Sequence, residues 1–191
     1  MSYTNEQLVS EAVETFFREN NLGVDGGLNK NWAKIKIGKI YLPLYNPPAR
    51  RKALVFHDIH HAATGYKGDW EGEVSISAWE LASGCGNYIA AWGLDLWAVA
   101  IGLFIYPQSV FRAFIRGKNT KNLYHNNISH ETAFSLKISE MQDRLLLSTY
   151  VEKTPTAKEK LSFAFYAVLA LIWAVVPFII IPAAFLYYLL K

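Results

Sequence analysis

A chain of 191 residues is long enough for one domain with a full core, or for a smaller domain joined to a membrane element. Hydrophobic residues make up 52% and charged residues 18%, a balance that leans toward a membrane-associated protein. The 19 basic and 16 acidic residues leave a net charge of only +3, too small an excess for the basic face that a nucleic-acid binder needs, and the lone Cys85 excludes both an intramolecular disulfide and a zinc cluster built from cysteines.

Taken in chain order, Thr4 to Gln7 has the pattern of a capping box, opening an amphipathic helix that runs to about Glu19 and ends at "NNLGVDGG". The amino terminus has neither signal-peptide nor transit-peptide character, so the simplest expectation is a bacterial protein facing the cytoplasm. "KIKIGKIYLPL" alternates apolar and basic residues around Gly38 and predicts a short hairpin or an extended lead-in. Pro43, Pro47 and Pro48 keep any helix from starting before Ala49. From Arg50 the pattern turns helical and carries "HDIHH"; Gly65 ends that helix, "GYKGDWEG" is a loop, and a second helix is expected near Gly72.

Two apolar segments follow. Residues 88–106 are long enough for a span, but Asp95 near their middle would cost about 2.5–3.5 kcal/mol at a bilayer centre, which favours a buried or lipid-lining helix. Residues 161–190 carry no charge at all, beyond the roughly 20 apolar residues needed to cross a bilayer. This run is expected to enter the membrane, kinked at Pro177 and Pro182, with Tyr187 and Tyr188 at an interface and Lys153, Lys158 and Lys160 on the cytoplasmic side. The chain thus divides at about residue 150 into a helical domain and a membrane-associated tail. Between the apolar segments, Arg112, Arg116, Lys118 and Lys121 suit either a solvated connector or anionic headgroups.

Three of the five histidines fall within five positions, beside acidic residues, in "HDIHH". Residues four apart share a helical face, so His57 and His61 lie together with Asp58 close by. A continuous helix would carry Glu73 about 18 Å beyond His61, at roughly 1.5 Å per residue; the glycines Gly65, Gly68 and Gly72 instead allow the chain to fold back as a helix pair. Glu73 then completes a site of two histidines and two carboxylates, a set that suits zinc or iron. His60 points away and is expected behind the site or at the surface; Glu80, two turns after Glu73, either supports the site or pairs with a basic side chain. Asp69 and Glu71 are expected to be solvated, and the five-residue spacing of His125 and His130 is poor for one face.

The pattern HDxxH followed after eleven residues by Glu, here His57-Asp58-Ile59-His60-His61 and then Glu73, resembles the signature of the ubiquinone (coenzyme Q) biosynthesis protein four family. "HDIHHAATGY", "WEGEVSISAWELASG" and "RAFIRGKNTKNLY" extend the likeness over roughly residues 43–124. The resemblance implies a mainly helical protein at a membrane, with zinc held by His57, Asp58, His61 and Glu73. It also implies a role in making ubiquinone or a related prenylated quinone, by replacing the carboxyl at ring carbon one of a polyprenylated hydroxybenzoate with a hydroxyl. Membrane lipids, other proteins of that pathway and a second copy of the chain are the partners it suggests. Trp92, Trp97, Leu103 and Phe104 are candidates to line a groove for the prenyl tail. The uncharged carboxy-terminal run departs from the family pattern and keeps open a relative with another lipid-like substrate.

His57 to His61 also satisfies HxxHH, a histidine box of membrane desaturases and hydroxylases, but five histidines cannot supply the three boxes of a di-iron site. An HD-type phosphohydrolase would need another His-Asp pair downstream, and none follows. From a different class, a non-catalytic lipid-binding scaffold could use the same residues to staple two helices with a structural zinc.

Overall fold

The computed structural model describes residues 2–37, 40–125 and 128–190. Its elements run α1 (Val9–Glu19), β1 (Trp32–Ile37), β2 (Ile40–Tyr45), α2 (Pro48–Thr64), α3 (Trp70–Ser83), α4 (Ile89–Ile105), α5 (Pro107–Lys118), a single 3-10 turn (Leu123–His125), α6 (His130–Ser135), α7 (Ile138–Arg144) and α8 (Ala157–Leu189). The architecture is all-α, as the sequence predicts, with one antiparallel hairpin added between α1 and α2. Its register runs from Trp32 opposite Tyr45 to Ile37 opposite Ile40, and the turn at Gly38 lies outside the described residues.

The core is built around α3. Every residue from Val74 to Ala82 is buried, so this helix has no solvated face and must be enclosed by others; α2, α4 and α5 enclose it. The α3–α5 approach is closest at Gly117, where an added Cβ would meet the Trp79 carbonyl and lie 2.8 Å from Ala82 Cβ. Trp79, with no exposed surface, donates its indole N–H to Thr120 Oγ1 at 2.8 Å, which satisfies the one polar atom of the largest core side chain. A stripe of Val9, Ala12, Val13, Phe16 and Phe17 buries α1 against α2.

Two starts differ from the sequence expectation. Thr4 N–H does donate to Gln7 Oε1 at 2.7 Å, yet α1 begins only at Val9. The intervening backbone is diverted to the link between α6 and α7: Val9 N–H donates to the Leu136 carbonyl at 2.8 Å and Ile138 N–H to the Gln7 carbonyl at 2.9 Å. Helix α3 starts at Trp70, earlier than Gly72, because Asp69 caps it by accepting the Gly72 N–H at 2.9 Å. Asp69 and Glu71 are both exposed, as expected; Asp69 in addition caps the helix, and Glu71 accepts the Ser109 hydroxyl at 2.6 Å.

Helix α8 opens with a capping box between Thr156 and Glu159 and continues through Pro177 and Pro182. Its first half packs on α4 and α5: Phe163 meets Phe111 and Phe114, Tyr166 lies parallel to Trp92, and the Trp173 indole donates to the Gly93 carbonyl at 2.9 Å. Only 6% of the apolar stretch sampled along Ala157–Ile179 is buried, unlike the core helix of a soluble domain, and among the described residues this is the one helix long and apolar enough to cross a membrane.

Adding a methyl group at the tightest helix contact should overpack it. Gly117→Ala is expected to lower unfolding stability by about 1–3 kcal/mol, seen as a lower urea midpoint with an unchanged slope.

Candidate metal centre

The last two turns of α2 and the first turn of α3 build the centre. The i, i+4 spacing puts His57 and His61 on one face of α2. Gly65 then ends the helix in the left-handed region, at φ +81°, which a side chain would disfavour, while its N–H closes the turn on the His61 carbonyl at 3.0 Å. The Asp69 cap starts α3 at once, so Glu73 returns to the same face. His57 Nε2 lies 3.5 Å from Glu73 Oε2, His61 Nε2 lies 3.4 Å from Glu73 Oε1, and the two Nε2 atoms are 3.2 Å apart.

The outer nitrogens are already engaged. His57 Nδ1 is 3.0 Å from Glu80 Oε2 and His61 Nδ1 is 2.9 Å from the Tyr66 carbonyl oxygen, and both partners can only accept. Each ring therefore carries its proton on Nδ1 and turns Nε2 inward. With both rings neutral, two imidazole lone pairs facing each other at 3.2 Å beside a carboxylate would repel, so a proton or a metal ion belongs between them. Donors about 2.0–2.1 Å from a tetrahedral zinc are about 3.3 Å from one another, the spacing found here. The donor set and its geometry thus fit a metal ion, and His57, His61 and Glu73 form a group able to hold one.

Electrostatics point the same way. Burial opposes charge on His57, but Glu80 and Glu73 outweigh it and raise the imidazole well above its ordinary value. Burial likewise pushes Glu73 up, while His61 and His57 hold it far below the carboxylate range. The pocket collects positive charge, as a proton or as a cation.

Behind the centre, Glu80 has no exposed surface. It meets His57 through Oε2 and His60 through Oε1, at 2.6 Å, and the Tyr124 hydroxyl donates to Oε1 at 3.3 Å. Asp95 of α4, which forms a second close group with His57 and Glu80, is raised well above its ordinary value by burial and then by the Glu80 charge. Cys85 Sγ lies 3.3 Å from Asp95 Oδ2. Phe16 of α1 stacks on the His61 ring at 4.5 Å and 21°, closing that side with carbon.

The other expected residues divide. Asp58, read from the sequence as a fourth ligand, is buried next to the pair but contributes no oxygen to either close group, because neighbouring residues on a helix point about 100° apart. Burial pushes its carboxyl up to about 7, with His57 and His61 opposing. His130 packs edge-on against Phe56, His125 sits beside Gly84, and neither joins the groups. Trp92 and Leu103 pack against the core, whereas Trp97 and Phe104 are exposed, so the four do not line one groove. Arg116 is structural: it donates to the Thr64 carbonyl at 3.0 Å and lies over the Tyr66 ring at 5.3 Å. Glu80 and His60 stand behind the site, one of the two places expected for each, and the Tyr66 carbonyl, to which no sequence feature pointed, completes it.

Compared with family models, curated proteins and solved structures, the chain gives no match.

Because Arg116 steadies the loop whose carbonyl holds His61, Arg116→Ala is expected to cost about 1–3 kcal/mol of stability, measured by chemical denaturation.

Proposed function

We propose that this chain is a metal-dependent, membrane-associated protein of ubiquinone or related prenylated-quinone biosynthesis. It acts on, or presents, a polyprenylated hydroxybenzoate whose ring-carbon-one carboxyl is exchanged for a hydroxyl. The metal part is carried by one observation: two Nε2 atoms 3.2 Å apart, each on a ring whose Nδ1 already faces an acceptor, beside Glu73. The pathway part rests on the resemblance of His57-Asp58-Ile59-His60-His61 and Glu73 to the biosynthesis protein four signature.

An ion held there supplies Lewis acidity toward a substrate oxygen. Two histidines and a carboxylate accept zinc and ferrous iron alike; replacing carboxyl with hydroxyl, with loss of carbon dioxide, is a two-electron oxidation, so either form would need a stoichiometric oxidant such as dioxygen. His57 and His61 close the site from within, and Glu73, with 41% of its side chain exposed, marks its open side. A second reading is a non-catalytic lipid-binding scaffold: His57 and His61 come from α2 and Glu73 from α3, so one ion held by all three would staple the two helices.

Membrane association is supported by two continuous features. Leu94, Trp97, Ile101, Phe104 and Ile105 form an exposed stripe on α4 at three- and four-residue spacing, and α8 beside it exposes Leu161, Phe165, Ile172 and Phe178. Exposed apolar surface of this extent needs a cover, and a bilayer fits a helix of this length. With Lys153, Lys158 and Lys160 at its start, the cytoplasmic face is the expected side.

Elemental analysis of the purified chain should find about one zinc or iron per protein, lost in His57→Ala, His61→Ala and Glu73→Ala and kept in His130→Ala; a folded, metal-free wild type would sink the metal reading. In a strain lacking the protein, wild type should restore the quinone and a folded Glu73→Ala variant should not, whereas restoration by that variant would favour the scaffold. On vesicles the chain should stay bound through 1 M salt and alkaline carbonate, and release in carbonate would mean that α8 lies on the membrane and does not cross it.

A further inference from the structure

Glu80 is a carboxylate without exposed surface in the middle of α3, and it touches no expected substrate position. Its two oxygens are divided between two histidines of α2. Oε2 takes His57 Nδ1 at 3.0 Å and Oε1 takes His60 Nδ1 at 2.6 Å. The tautomer of His60 follows from its other side: Leu123 N–H donates to His60 Nε2 at 2.9 Å, so Nε2 has no proton and Nδ1 is the donor. Trp79 and Tyr124 pack edge-on against the His60 ring, both with centroids at 5.1 Å, which blocks a flip. Glu80 is thereby held as an acceptor at Oε1, and the same carboxylate presents Oε2 to His57.

From this geometry we infer that Glu80, anchored by His60, is a positioning residue that fixes His57 in the tautomer with Nε2 free and sets the affinity of the centre for its metal. The inference rests on the metal reading above and goes beyond it by assigning a role to two buried residues outside the ligand group. Carboxylates behind metal-bound histidines orient the ring and raise its basicity, and their loss typically costs about 10–100-fold in affinity.

Glutamine at position 80 keeps the size but offers a single acceptor oxygen. That oxygen can serve His60 or His57, not both. If it stays on His60, whose tautomer Leu123 dictates, the amide N–H2 faces His57 Nδ1 and drives its proton to Nε2, the nitrogen that must bind the metal.

The test uses the full chain in detergent. Zinc affinity is measured by competition with a chromophoric chelator for wild type, Glu80→Gln and, as a control from the same helix, Glu71→Gln. Histidine 15N spectra of the zinc-loaded wild type are recorded alongside. The inference expects affinity about 10–100-fold weaker in folded Glu80→Gln, no change in Glu71→Gln, and a proton on Nδ1 of both His57 and His60 in the wild type. Wild-type affinity in folded Glu80→Gln would overturn the inference and leave the metal reading standing. Should Glu80→Gln fail to fold, the wild-type spectra decide, because His57 bound through Nδ1 would overturn it equally. A wild type that binds no zinc and no iron would remove the metal reading and the inference together.

Discussion

The structure turns on a negative charge at the centre of its most buried helix. A carboxylate such as that of Glu80, without exposed surface, is costly to bury unless donors surround it. The donors come from different parts of the chain: His57 and His60 of α2, and Tyr124 in the turn beyond α5, whose Leu123 backbone holds the far side of His60. Asn122 ties the same turn to the end of α3 through the Glu80 and Gly84 carbonyls. Satisfying this one group therefore fixes where α2, α3 and the turn after α5 must stand. Asp95, pressed against it from α4, is shifted toward its neutral form by burial and by the Glu80 charge.

The metal centre is a consequence of that arrangement. Once α2 is oriented by the acceptors behind it, His57 and His61 can only look outward with bare nitrogens, and the short connection through Gly65 and the Asp69 cap returns Glu73 to meet them. The loop is held by contacts that have no chemistry of their own, Arg116 over Tyr66 and the stack of Phe16 on His61. Behind the ligands stand Phe16 on one side and the buried Glu80 on the other; the ligand on the open side is Glu73, near solvent.

The apolar exterior follows a different logic. Helix α4 is two-faced, with Asp95, Leu96, Val99 and Ala100 turned to the core and Leu94, Trp97, Ile101 and Phe104 turned out. Helix α8 lies along it and extends the outward surface. The buried charge network and this apolar surface thus sit on opposite sides of a single helix, which brings the metal centre close to whatever covers α4.

The sequence by itself determined the helical class, the apolar tail, the His57–His61 face and the return of Glu73, because each is a matter of local spacing: four residues along one helix, glycines at a reversal, an uncharged run longer than a bilayer is thick. It also suggested Asp58 as a ligand, and it read Asp69 as solvated, which it is, without its cap. Adjacent residues on a helix diverge, which separates Asp58 from its neighbours in the close groups, and a cap is recognisable only once the helix it starts is placed. Only the tertiary structure decided that α1 begins at Val9, since the backbone before it is taken by a strand-like pairing with residues 136–138, far along the chain. It alone also decided that Glu80 and His60 stand behind the site, because a hydrogen bond between side chains on two helices, completed by a backbone N–H some sixty residues away at Leu123, has no periodicity that a sequence can display.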